Sequence, residues 1–104
     1  MPFVSAFELG IHFAKHGAKF GAATAADYEA LADAFLMGAM NATTQDCTRP
    51  NLIDYLRFDS SNRHFGVLCL QNNCVRTFYP AETALIASRG GSGPFFAFEC
   101  ARIM

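Results

Sequence analysis

The sequence predicts an α+β domain: two N-terminal helices packed on a four-stranded antiparallel sheet. Three observations lead there. Apolar residues recur at three- and four-residue steps as far as about Met37. From Leu52 onward the period falls to about two, with turn-forming clusters between the runs. The chain of 104 residues is 52% hydrophobic, with eleven Phe and no Trp, which suits one domain over residues 1–104 with an aromatic core.

Residues 1–6 read as a loose lead-in, because Pro2 discourages early structure. The first helix spans Phe7 to His16 or slightly beyond, with Gly17 and Gly21 as stop signals. Thr24 caps a second helix, and Asp27 three residues later places negative charge at its positive end. Tyr28, Leu31, Ala32, Phe35 and Leu36 form its buried stripe; Asp27, Glu29 and Asp33 read as solvated. Gly38 ends it, and Ala39–Pro50 is a polar connector.

Three strands follow, Leu52–Phe58, Arg63–Leu70 and Cys74–Tyr79, joined by DSSN and an Asn-rich turn and stopped by Pro80. They should form an antiparallel meander. Residues 81–93 read as a loop with a helical turn near Ala81–Ser88, and Pro94–Ile103 as a fourth strand. SRGGSG lacks the Lys-Ser/Thr of a phosphate loop, is expected to have no helix after it, and reads as a tether.

A formal net charge of −1 argues against a strongly basic nucleic-acid coat protein, though not against a local basic site. No apolar run approaches the roughly 18 residues of a membrane span, so no membrane partner is expected. The first ten residues lack the pattern of a secretory signal. The expectation is a cytosolic protein, or the C-terminal portion of a larger exported one. Cys47, Cys69, Cys74 and Cys100 form no CxxC pair and no zinc spacing. They read as ordinary thiols, with a Cys69–Cys74 bridge across a hairpin as the alternative. No metal or cofactor is expected.

The chemistry concentrates in FELGIHFAKHGAKFG. On a helix, Glu8, His12, Lys15, His16 and Lys19 fall within an arc of about 100°. Phe7, Ile11, Ala14 and Ala18 lie on one flank, Leu9 and Phe13 on the other. A narrow polar stripe between apolar flanks suits the wall of a cleft; the plainer alternative is a solvated helix end with cations near its negative pole. The sheet adds Arg57, and either Arg76 or Thr77. Those two point to opposite faces of a regular strand, and Thr77, between Val75 and Tyr79, is preferred. His64 reads as a surface residue or a third imidazole.

Two imidazoles with Lys, Arg and Thr suit metal-free cleavage of an RNA phosphodiester. Histidine suits proton transfer near neutral pH, and cations suit the charge gathering on phosphate. HFAKHGAKFGAATAADYEALADAF, YLRFDSSNRHFGVL and VRTFYP, over roughly Leu9–Pro80, together resemble the barnase/EndoU/colicin/RelE superfamily of small toxin domains, in its phage-associated and polymorphic-toxin forms. The resemblance implies a ribonuclease toxin, often directed at tRNA, acting in the cytoplasm of a target cell and neutralised by a cognate immunity protein or antitoxin. It carries the site onto His12, Lys15, His16, Arg57 and Thr77. Two other classes stay open: a non-catalytic binding domain of the same fold, and an ADP-ribosyltransferase-like toxin with Glu99 as its catalytic carboxylate.

Overall fold

The structure is a computed structural model and describes residues 1–103. It is α+β, with a four-stranded antiparallel sheet in the order β1-β2-β3-β4. Helices α1 (Ala6–His16) and α2 (Ala25–Met37) come first. Strands β1 (Thr44–Thr48), β2 (Asp54–Asp59), β3 (His64–Cys69) and β4 (Cys74–Pro80) follow, then helices α3 (Thr83–Ser88) and α4 (Ser92–Ala101).

α2 starts at the cap that the sequence places, Thr24, whereas α1 starts one residue earlier than expected, on a Ser5 cap inside the stretch read as a loose lead-in. The Ser5 hydroxyl accepts from the Glu8 N–H at 3.1 Å, and the Thr24 hydroxyl accepts from the Asp27 N–H at 3.1 Å. α1 passes directly into a single 3-10 turn, Gly17–Phe20, which ends at Gly21 with φ 69°. That left-handed conformation is the reason a glycine stands there. α2 buries Tyr28, Ala32 and Leu36 on the sheet, whereas Leu31 is exposed. The Tyr28 hydroxyl donates to the Phe78 carbonyl, tying α2 to β4. Gly66 opposes Leu36, and a Cβ there would lie 3.0–3.1 Å from the leucine side chain, so the missing side chain lets α2 sit close.

Several sequence expectations are corrected. The polar connector holds β1, paired with β2 from Thr44↔Asp59 to Thr48↔Tyr55. Its residues give little apolar signal because it is an edge strand whose inward contact with the core is made by Cys47. The expected fourth strand, Pro94–Ile103, is instead α4. Its Phe pattern suggested β structure, but Phe95, Phe96 and Glu99 are buried at helical spacing, and Pro94 falls in the first turn, where a missing N–H costs nothing. Contrary to the expectation of no helix there, α4 begins inside SRGGSG, at Ser92, entered through Gly90 and Gly91 at φ 98° and 119°.

The start of the chain is not loose. Phe3 is buried and forms a parallel bridge with Val75, and its N–H donates to Glu29 at 3.0 Å, so Glu29 is a partner rather than a solvated charge. The disulfide joins Cys47 to Cys100, while Cys69 and Cys74, register partners across β3–β4, are free and buried thiols. A separation of 53 positions hides the true pairing from sequence inspection.

The helices therefore cover both sheet faces. Tyr28, Ala32, Leu36, Leu68, Val75 and Phe78 build the core under α1 and α2. Leu56, Phe58, Phe65, Val67, Ile86, Phe95 and Phe96 build the core under α3 and α4.

Candidate functional site

α1 carries its histidines to the outer edge of β4. The His12 ring lies 5.2 Å from that of Phe3, which pairs with Val75. One turn on, the His16 ring stacks on Tyr79 at 5.3 Å. The two imidazoles are 6.2 Å apart and run alongside the strand segment 75–79. Glu8 stands 3.9 Å from His12 Nε2.

Both imidazoles hold a proton less firmly than the usual 6.5. Burial is the main cause for each. Lys15 adds to it at His12 against the opposing pull of Glu8, and Lys19, His12 and Lys15 add to it at His16. The Nδ1 atoms of both rings are buried with no hydrogen-bond partner among the described residues. The cationic ring must donate from both nitrogens, so an unpartnered one further disfavours charge.

The middle of β4 is irregular. Val67 pairs with Thr77 but Leu68 pairs with Val75, which leaves Arg76 as the extra residue of a bulge. Strict alternation would send Arg76 and Thr77 to opposite faces. The bulge turns both toward the α4 side, while Val75 and Phe78 stay in the core under α1 and α2. Thr77, Arg76 and Tyr79 thus line one cavity of about 480 Å³, walled by Arg49, Asn51, Asp54, Glu99 and Arg102 over Phe65 and Val67.

The charges in that wall pair with one another. Asp54 accepts from Arg49 at 3.2 Å, Arg76 at 2.8 Å and Asn51 at 3.1 Å. Its proton affinity ends below the usual 3.8 because the Asn51, Arg49 and Arg76 contacts outweigh the opposing effect of burial. Glu99 meets Arg102 at 3.2 Å and Arg49 at 3.7 Å. Burial pushes the Tyr79 hydroxyl above its usual 10, with Glu99 adding in the same direction.

Of the five residues picked from sequence, the structure brings His12 and His16 together, with exposed Lys15 on the same helix. Thr77 lies on the adjoining strand, on the cavity side. Arg57 is not brought to them. It points to the sheet face under α1 and α2, away from the cavity, and is engaged at the end of α2: Nη1 donates to the carbonyls of Phe35 at 3.0 Å and Gly38 at 2.6 Å, and Nε and Nη2 donate to the Tyr55 hydroxyl. That places a cation on the negative end of α2. Glu99, the carboxylate of the transferase alternative, lies in α4 between two guanidinium groups rather than on a strand. His64 sits among Phe20, Phe35 and Phe78, away from the other imidazoles.

From sequence alone Arg76 stands as the alternative to Thr77, while Tyr79, Arg49 and Arg102 are given no part in the site. Tyr79 was within reach, standing two residues from Thr77 in a strand already singled out. Arg76 needed the bulge, and the other two needed β1 and α4. Among the described residues, no three His, Cys, Asp or Glu side chains gather into a metal-binding group, and no helix is long and apolar enough to cross a membrane. No protein-family model and no curated protein matches the chain.

Proposed function

We propose that the protein is a metal-independent endoribonuclease whose scissile phosphate lies at the β4 edge, between the His12–His16 pair and the Thr77 segment. The observation that carries this reading is the stacking of His16 on Tyr79, a residue that also lines the cationic cavity with Thr77 and Arg76. Proton-transfer groups then stand on one side of the β4 edge and phosphate-binding groups on the other, joined by that stack.

In this mechanism one imidazole removes the proton from a 2′-hydroxyl, and the resulting oxygen attacks the adjacent phosphorus. The 5′-oxygen departs with a proton from the second imidazole, leaving a 2′,3′-cyclic phosphate. Lys15 stabilises the charge gathering on the nonbridging oxygens, and Thr77, on the cavity side of β4, holds the adjacent stretch of backbone. The weak hold of both imidazoles on a proton favours donation to the leaving oxygen once one ring is charged. The resemblance noted in the sequence carries the reading further, to tRNA as substrate, to a target-cell cytoplasm as the place of action and to an immunity protein or antitoxin as partner.

The test is incubation of the purified protein with total RNA in EDTA. Cleavage that persists in EDTA and is lost in both His12→Ala and His16→Ala supports the reading. Intact RNA, or cleavage that survives both substitutions, returns the domain to a binding role.

A further inference from the structure

We infer that the cavity between β4 and α4 is a phosphate-binding site, separate from the position of the cleaved phosphate. Its charge balance is the first argument. Three guanidinium groups, those of Arg49, Arg76 and Arg102, face two carboxylates, Asp54 and Glu99, which leaves one positive charge over. Both carboxylates are already engaged. Asp54 is held by two arginines and an amide, and Glu99 by two arginines. Neither is left free to repel an anion or to recruit a cation.

The second argument is what remains unengaged. Arg76 uses Nε on Asp54 and Nη2 on the Cys69 sulfur, and its Nη1 has no partner among the described residues. The Thr77 and Tyr79 hydroxyls line the same cavity and likewise have no hydrogen-bond partner among the described residues. A charged side chain and two hydroxyl-bearing ones lining one space suit an acceptor-rich, negatively charged group. The Arg76 and Arg102 side chains are 51% and 44% exposed, so the donors can be reached from solvent. Behind them Arg49 is almost wholly buried; it donates to the Glu99 carbonyl at 2.9 Å and fixes the wall. A space of about 480 Å³ admits a phosphate together with the sugar that carries it.

The site takes a phosphate ester. Only the assignment of that ester to an RNA chain, as the phosphate next to the one being cut, rests on the ribonuclease reading. The experiment titrates the full protein, labelled with 15N, separately with inorganic phosphate and with a short 2′-O-methyl RNA, which offers phosphodiesters but no nucleophile. Expected are shifts centred on the amides of Arg76, Thr77 and Tyr79, and a loss of affinity of about tenfold in Arg76→Gln and in Arg102→Gln. Arg102→Gln guards against Arg76→Gln disturbing the fold. Saturation by inorganic phosphate at the same affinity as the oligomer assigns the site to free phosphate. A gain with the oligomer assigns it to the RNA backbone. Shifts absent with both probes, or affinity unchanged in both variants, overturn the proposal. Neither probe can be cleaved, so a protein that binds them but cuts no RNA refutes the ribonuclease reading alone. A protein that cuts RNA with no response at residues 76–79 refutes this site alone.

Discussion

Reduction of the Cys47–Cys100 bridge should have a large and local effect. The bridge closes a loop of 53 positions, joining the polar edge strand β1 to the last helix α4. Holding the ends of such a loop together in the unfolded chain restricts it by about 4 kcal/mol in the chain-entropy picture. At about 4–8 °C per kcal/mol for a domain of this size, the melting temperature should fall by about 15–30 °C. The same bridge borders the cavity, since Arg49 stands two residues after Cys47 and Glu99 immediately before Cys100. Phosphate affinity should therefore weaken in reduced protein that is still folded. Thermal melts with and without a phosphine reductant, repeated on Cys47→Ala/Cys100→Ala, measure the effect. Cys69 and Cys74 are already free, so the reductant changes no other cysteine pair. A fall of less than about 5 °C in both experiments would refute the reasoning.

Replacement of Arg57 by Ala should destabilise the fold by about 2–4 kcal/mol, because it strips charge-assisted bonds from the end of α2, while the rate per folded molecule stays near that of the parent. Denaturant melts and single-turnover assays separate the two effects, and a stable but inactive variant would return Arg57 to the site. Tyr28→Phe leaves the buried Phe78 carbonyl without its donor and should cost about 1–3 kcal/mol, read from the denaturant midpoint. Burial lowers the proton affinity of His12, His16 and His64 below the usual 6.5 in the fold, so in the window that opens as pH falls through about 6.5 the unfolded chain binds more protons than the folded one. Stability should fall as pH drops through that window, and a melting temperature that rises on acidification would contradict the shifts. The cleavage rate should follow a bell centred below pH 6.5, because one imidazole must be charged and the other neutral; an optimum above pH 7.5 would exclude the pair.

Helix α1 was legible because a polar stripe at helical spacing ends at a glycine stop; its Ser5 cap was not, because Pro2 made residues 1–6 read as loose. β2 and β3 were legible because alternation and turn chemistry agree. β1 was not, since TQDCT has no apolar alternation and owes its place to partners distant in sequence. α4 was misread because phenylalanine favours strands in general, and only packing on Leu56, Phe58 and Phe65 decides the matter. The site divides along the same line. His12, Lys15 and His16 follow from one helix, a local property. Arg76 beside Thr77 depends on a bulge between strands, and Arg57 on the end of α2 depends on how two distant segments meet; neither is written in local periodicity.

The most direct test of the central claim is the chemistry of the cut ends. An RNA carrying a single 2′-deoxy nucleotide at the mapped cleavage position, and its all-ribose counterpart, are incubated with the protein in EDTA and their products are resolved by mass. Expected are a 2′,3′-cyclic phosphate and a 5′-hydroxyl from the all-ribose RNA, no cut at the 2′-deoxy position, and a rate at least about a hundredfold lower in His16→Ala. Cutting at the 2′-deoxy position, 5′-phosphate ends, or an undiminished rate in His16→Ala would contradict the claim.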